Sequence, residues 1–138
     1  MALPSDDDGA CRMKSERMSS KAVALASTSI WWKVGAVSGA TAVLLGAFGA
    51  HGLKNRVTDP KLLKTWDTGA HYHLVHSLAL LAVPFSRRPN LAGGLISSGI
   101  VFFSGSLYAI VLTDQKSLGM ITPMGGLMFV AGWLSLLL

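Results

Sequence analysis

The chain predicts an all-α polytopic membrane protein: a compact antiparallel bundle of four transmembrane helices, with a short interfacial helix after the first. Three observations point there. Beyond Lys33, four stretches contain no Asp, Glu, Lys or Arg: Val34–Leu53, Thr68–Ser86, Pro89–Thr113 and Ser117–Leu138. Each approaches or exceeds the roughly 20 apolar residues with which an α-helix crosses a hydrocarbon core of about 30 Å. Charged residues make up only 14% of the 138, whereas a soluble domain carries about a quarter. Those few charges are segregated into an N-terminal tail and three short links. The large amphipathic rings also fall toward helix ends, with Trp31, Trp32 and Trp133 on one surface and Trp66 and Tyr108 on the other, as an aromatic belt requires.

The expected helices run over about 32–52, 66–86, 90–113 and 119–138, within a membrane domain at 31–138. The first opens on Trp31-Trp32-Lys33, an aromatic and basic anchor. Its Gly35, Gly39, Ala42, Gly46 and Gly49 recur every three or four residues. They share one face, where absent side chains let another helix approach, so this stripe is expected to pack against protein. In the long link that follows, Asp59 reads as an N-cap and Pro60 as the first helical residue. Leu62, Leu63 and Trp66 set against Lys61 and Lys64 predict an amphipathic turn in the interface, with a bend at Gly69 before the second crossing. The basic turn Ser86–Asn90 makes crossings two and three an antiparallel hairpin. Thr113–Lys116 is a second tight turn. Thr122-Pro123 reads either as cap and first residue of a shortened last helix or as a kink in a longer one.

Residues 1–30 have a different character: acidic at Asp6–Asp8, then basic and Ser-rich. Low hydrophobicity predicts a disordered tail. From Met13 onward the composition is also that of an organellar targeting segment, against which the leading Asp run argues. Seven Lys or Arg lie on the tail side and five on the other, which orients both termini toward the cytosol or matrix. The twelve cations against seven acidic residues suit a lipid bilayer as partner rather than nucleic acid, because no folded surface gathers them. A single cysteine, Cys11, excludes an internal disulfide and a Cys-based zinc site.

The polar residues that could carry chemistry converge on one membrane surface. His51 ends the first crossing, and Asp67, His71, His73 and His76 open the second, forming a candidate intramembrane polar cluster. Counted from Trp66, His76 lies about 15 Å into the bilayer. Imidazoles at His51, His73 and His76 suit metal or haem ligation or proton transfer, but their spacing matches no established ligand set. Interhelical hydrogen bonding is the competing role. Ser77 lies one turn after His73, yet no carboxylate is placed to orient that histidine as a triad needs, and a membrane serine ordinarily bonds the preceding turn's carbonyl. No catalytic, cofactor-binding or metal site is assigned.

The runs Gly46-Ala-Phe-Gly-Ala-His-Gly-Leu53, Trp66-Asp-Thr-Gly-Ala-His-Tyr-His-Leu-Val-His-Ser-Leu-Ala-Leu-Leu81, Phe103-Ser-Gly-Ser-Leu-Tyr108 and Leu118-Gly-Met-Ile-Thr-Pro-Met-Gly-Gly-Leu127, with Gly132-Trp133, resemble the transmembrane protein 256 family, the domain of unknown function 423. The resemblance covers Trp32 to Leu138. It implies a four-helix integral membrane protein, placed in the plasma membrane of bacterial relatives and the mitochondrial inner membrane of animal ones, and it implies no activity. His51 and His76 match recurrent histidine positions of the family, His73 matches some members, and His71 varies. The first thirty residues lie outside the pattern.

Three functions are therefore set against each other. The first is a non-enzymatic helix-bundle module, a structural, assembly or accessory component that associates with itself or with a larger membrane complex. The second is a small transport, proton-relay or metal- or haem-binding protein using His51, His73 and His76. The third, an intramembrane enzyme, has only His73 and Ser77 behind it.

Overall fold

The computed structural model describes residues 6–138. All regular structure among them is helical: α1 (Asp6–Thr28), α2 (Ile30–Phe48), α3 (Pro60–Ala82), α4 (Pro89–Gly99), α5 (Gly105–Thr113) and α6 (Thr122–Ser135). A π-type turn over Gly49–Leu53 extends α2, and another over Ile100–Ser104 joins α4 and α5 into one rod. Three of these helical runs are long and apolar enough to cross a membrane: Ile30–Leu53, Pro89–Thr113 and Lys116–Ser135. The expected second crossing is not among them. Its helix α3 carries Lys61, Lys64 and Asp67 in its first turns and three histidines beyond.

Neighbouring rods run antiparallel, as the short links demand. Against α2, residues Leu80 and Leu81 of α3 meet Gly35, while Trp66 meets Gly49. Against the α4–α5 rod, Gly69 of α3 meets Tyr108, and the Tyr72 ring meets Phe103. On the far side, Ile96, Gly99 and Phe103 face Gly132, Phe129 and Gly125 of α6. The main apolar core, built on Leu80, Val83, Ala92, Ile96, Ile100 and Phe129, lies between α3, α4 and α6. A smaller one gathers Leu53, Trp66 and Val111 at the opposite end. Large apolar side chains cover the outside: Val37, Leu44, Leu78, Val101, Leu112 and Leu127 are each more than half exposed. Water would penalise such a surface, whereas lipid tails match it.

Several expectations are corrected. No separate interfacial helix precedes the second segment. Asp59 does cap, accepting a hydrogen bond from the Lys61 amide at 2.9 Å, but the helix it starts runs unbroken from Pro60 to Ala82. Gly69 makes no bend; it is buried, and a β-carbon there would come within 3.2 Å of the Tyr108 ring. Its missing side chain serves helix contact. Thr122 is not a cap either, because Ile121 holds that position and the Thr122 hydroxyl instead lies 2.7 Å from that of Ser106. Pro123 falls in the first turn of α6, after a 3₁₀ stretch over Lys116–Met120, where its lost amide matters least. The turn between α5 and that stretch is closed by Asp114 at φ 55°, a left-handed conformation that Asp tolerates.

The tail is also corrected where it is described, since Asp6–Thr28 forms a helix rather than a disordered chain. The helix buries none of its described side chains from Asp8 to Ala24, which are all exposed. Helix persists because Ala, Met, Lys, Arg and Glu are good helix formers, and an Arg12–Glu16 pair at 3.2 Å spans one turn. Residues 1–5 lie outside the described part.

Four of the five small-residue positions on α2 lie against the rest of the bundle. Gly35, Ala42 and Gly49 are buried, and a β-carbon on Gly39 would touch Ser77 at 3.7 Å. Gly46 is the exception, with open space where its side chain would be. One turn on, the Trp66 indole lies against Gly49 and donates to the Leu45 carbonyl.

Candidate functional site

Helix α3 buries three polar side chains, His73, His76 and Ser77, and they divide between its neighbours. His73 is buried and faces α2 and α5. Its Nε2 lies 3.0 Å from the Ser38 hydroxyl and its Nδ1 3.4 Å from that of Tyr108. Ser38 also meets the Ser77 hydroxyl at 2.7 Å, and Ser77 donates to the His73 carbonyl at 2.7 Å.

Proton inventory fixes the direction of this network. Ser77 spends its one hydroxyl proton on the His73 carbonyl, so toward Ser38 its oxygen can only accept. Ser38 then donates to Ser77, and its own oxygen accepts from His73 Nε2. That nitrogen carries the hydrogen. Nδ1 is left as the lone pair facing the Tyr108 O–H, a long contact and the weakest of the set. The series begins at Tyr108 and closes on the carbonyl of His73 itself.

His76 is buried one turn further on and faces α6. Its Nδ1 lies 2.7 Å from the Tyr72 carbonyl, which can only accept, so this nitrogen carries the hydrogen. Nε2 accepts the Trp133 indole N–H at 3.1 Å. The imidazole stacks on Phe129, with ring centroids 3.4 Å apart and planes 13° from parallel. A broad apolar recess of about 680 Å³ opens beside it, lined by Tyr72, Phe103, Phe129 and Trp133 among others. Both ring nitrogens behind that recess are already engaged.

The two histidines, three residues apart, thus hold opposite tautomers. Solid-state NMR of the ¹⁵N-histidine-labelled protein in bilayers should show protonated Nε2 at His73 and protonated Nδ1 at His76. Finding one tautomer at both positions would refute the network.

The other members of the expected cluster do not join them. Asp67 and His71 are exposed. His51, also exposed, lies in the π-type turn that is level with Trp66, about 15 Å along the bundle from His76. Among the described residues, no group of three or more His, Cys, Asp or Glu is placed to hold a metal ion. Convergence fails because His71 points away from the face shared by His73 and His76, and those two turn to different neighbours. Ser77 follows the bland expectation, its hydroxyl spent on a backbone carbonyl rather than on the imidazole. Sequence reasoning missed Ser38, hidden beside Gly39 in the small-residue stripe. It also assigned Tyr108 and Trp133 to the membrane belt, whereas each turns its polar atom inward to a histidine.

Residues 45–126 match a family described as Protein of unknown function (DUF423). That span contains His51, His73 and His76. The chain belongs to this family. Curated relatives of DUF423 type extend the likeness beyond the matched core. A UPF0382 membrane protein of Staphylococcus aureus is 46% identical over 110 residues, covering 76% of this chain and 89% of the relative. One from Bacillus subtilis is 44% identical over 108 residues, covering 73% and 87%. A fission-yeast UPF0382 membrane protein is 41% identical over 114 residues, covering 77% and 97%. No solved structure matches the chain. Together with the apolar outer surface, these relatives identify an integral membrane protein of the DUF423 family.

Proposed function

We propose that this protein is a non-enzymatic four-crossing membrane module that serves as a structural, assembly or accessory component of a membrane complex. The observation carrying this reading is the closed polar network. Each buried imidazole has both nitrogens engaged, one series ends on its own backbone carbonyl, and among the described residues no carboxylate is bonded to either ring. A proton path needs an exit and a metal or haem site needs imidazole lone pairs free of other partners; the hydrogen bonds of His73 and His76 favour neither. Interhelical hydrogen bonds of this kind instead tie helices together, at about 0.6–2 kcal/mol each.

Crossing by α3 as well is supported by its length, about 34 Å for 23 residues, and by its place among three apolar rods that shield His73, His76 and Ser77 from lipid. The close-packed glycines are used inside the bundle, so association with a second copy or a larger complex falls to the outward apolar surface. We assign that complex to the mitochondrial inner membrane, the location that the resemblance implies for animal relatives, and imaging of a C-terminally tagged chain tests this directly.

Gentle solubilisation of native membranes followed by native electrophoresis should find the tagged protein in a species well above its own 14.5 kDa. A lone monomer, or proton flux in liposomes abolished by His73→Gln, would overturn the proposal.

A further inference from the structure

Helix α1 leaves the bundle at Ser29, whose extended backbone separates it from α2 and whose side chain accepts from the Trp31 amide. This is the end carrying Trp31, Trp32 and Lys33 and the Arg87-Arg88 turn, and α1 contacts the nearby Val83–Phe85 turn, with Ala22, Pro84 and Phe85 lining one recess. The helix therefore ends where α2 enters the membrane. Along it, Ala10, Met13, Lys14, Arg17, Met18 and Lys21 line one shallow trough. At 100° per residue, Lys14, Arg17 and Lys21 fall within an arc of about 60°. The Arg12–Glu16 pair lies on the opposite side. All three stripe cations are exposed, and no ion pair engages them among the described residues. Met13 and Met18 flank them, both more than half exposed.

An exposed row of three cations, tethered at the headgroup level of a membrane span and devoid of acidic partners, matches one surface: a leaflet bearing anionic phospholipid. We propose that α1 lies along such a leaflet with Lys14, Arg17 and Lys21 against lipid phosphates. The apolar content of this helix is too small for deep insertion, so attachment is electrostatic, worth about fivefold in binding per cation and screened by salt.

Cys11, the only cysteine in the chain, sits on α1 beside the stripe and is exposed, so the full-length protein can be labelled there without mutation. An environment-sensitive fluorophore on Cys11 would be read after reconstitution into phosphatidylcholine vesicles, with and without 30 mol% phosphatidylglycerol. We expect a blue shift and protection from an aqueous quencher in the anionic vesicles alone, reversed by high salt. The combined variant Lys14→Gln/Arg17→Gln/Lys21→Gln should weaken attachment on the order of a hundredfold, while Arg12→Gln on the other face retains it. Equal signals in both vesicle types would overturn the proposal. So would protection in native membranes but not in anionic vesicles, which would assign the stripe to an acidic protein. A mature N-terminus beyond Lys21 in protein from its own membrane would overturn it too, making α1 a cleaved address.

Discussion

Gly125→Ala is expected to destabilise the detergent-solubilised bundle by about 2–3 kcal/mol, the upper part of the range for overpacking. A β-carbon at this position of α6 would collide with the Phe103 amide nitrogen and lie 2.8 Å from the Phe102 carbonyl carbon. Those atoms are backbone, so no rotamer change relieves the contact, and α6 must move away from the π-type turn at Ile100–Ser104. That movement also loosens Phe129 in the core and Trp133 on His76, which lie on the same helix. Gly94→Ala provides the control, since nothing lies within 4 Å of its added carbon. Neither glycine has positive φ, so the backbone accepts alanine at both, and Gly94→Ala should be neutral or mildly stabilising through helix propensity. Thermal unfolding followed by size-exclusion chromatography checks both; similar melting temperatures for the two variants would refute the packing argument.

Trp66→Ala should cost about 3–5 kcal/mol, as removal of a large buried aromatic does. The indole is 1% exposed. It sits in the space left by Gly49, lies 4.6 Å between centroids from the Tyr108 ring, and donates to the Leu45 carbonyl at 2.9 Å. This one side chain therefore joins α2, α3 and α5. Trp66→Phe should keep much of the burial and lose the N–H bond, costing about 1 kcal/mol for that bond. Gly49→Ala presses on the same indole, so adding it to Trp66→Ala should cost much less than in the wild-type background. Additive effects in chemical or thermal unfolding would show that the glycine and the tryptophan do not share this space.

The single-helix features were legible because they depend on neighbouring residues in the chain. Uncharged stretches of membrane length, Asp59-Pro60 at a helix start and the three-and-four spacing of small residues on α2 each act within one segment. Periodicity could place His73 and His76 on one broad face, yet it could not say that one turns to Ser38 and the other to Trp133. Gly46 shows the same limit: it shares the stripe by angle, yet nothing lies within 4 Å of where its side chain would be. The tail erred differently. Its hydrophobicity reported the lack of a core, and disorder was read from that, although helix formation there needs only favourable local residues.

What the residues alone determined is a helical membrane protein with its cations at the ends, because a backbone in lipid has to satisfy its hydrogen bonds within each segment. The three-dimensional arrangement alone decided which polar atoms meet, which histidines separate and that the second rod starts at Pro60 without a break. Those outcomes depend on the register and spacing of whole helices against one another. A shift of one residue, about 1.5 Å along the axis, would break a 3.0 Å hydrogen bond between neighbouring rods while leaving every local pattern unchanged.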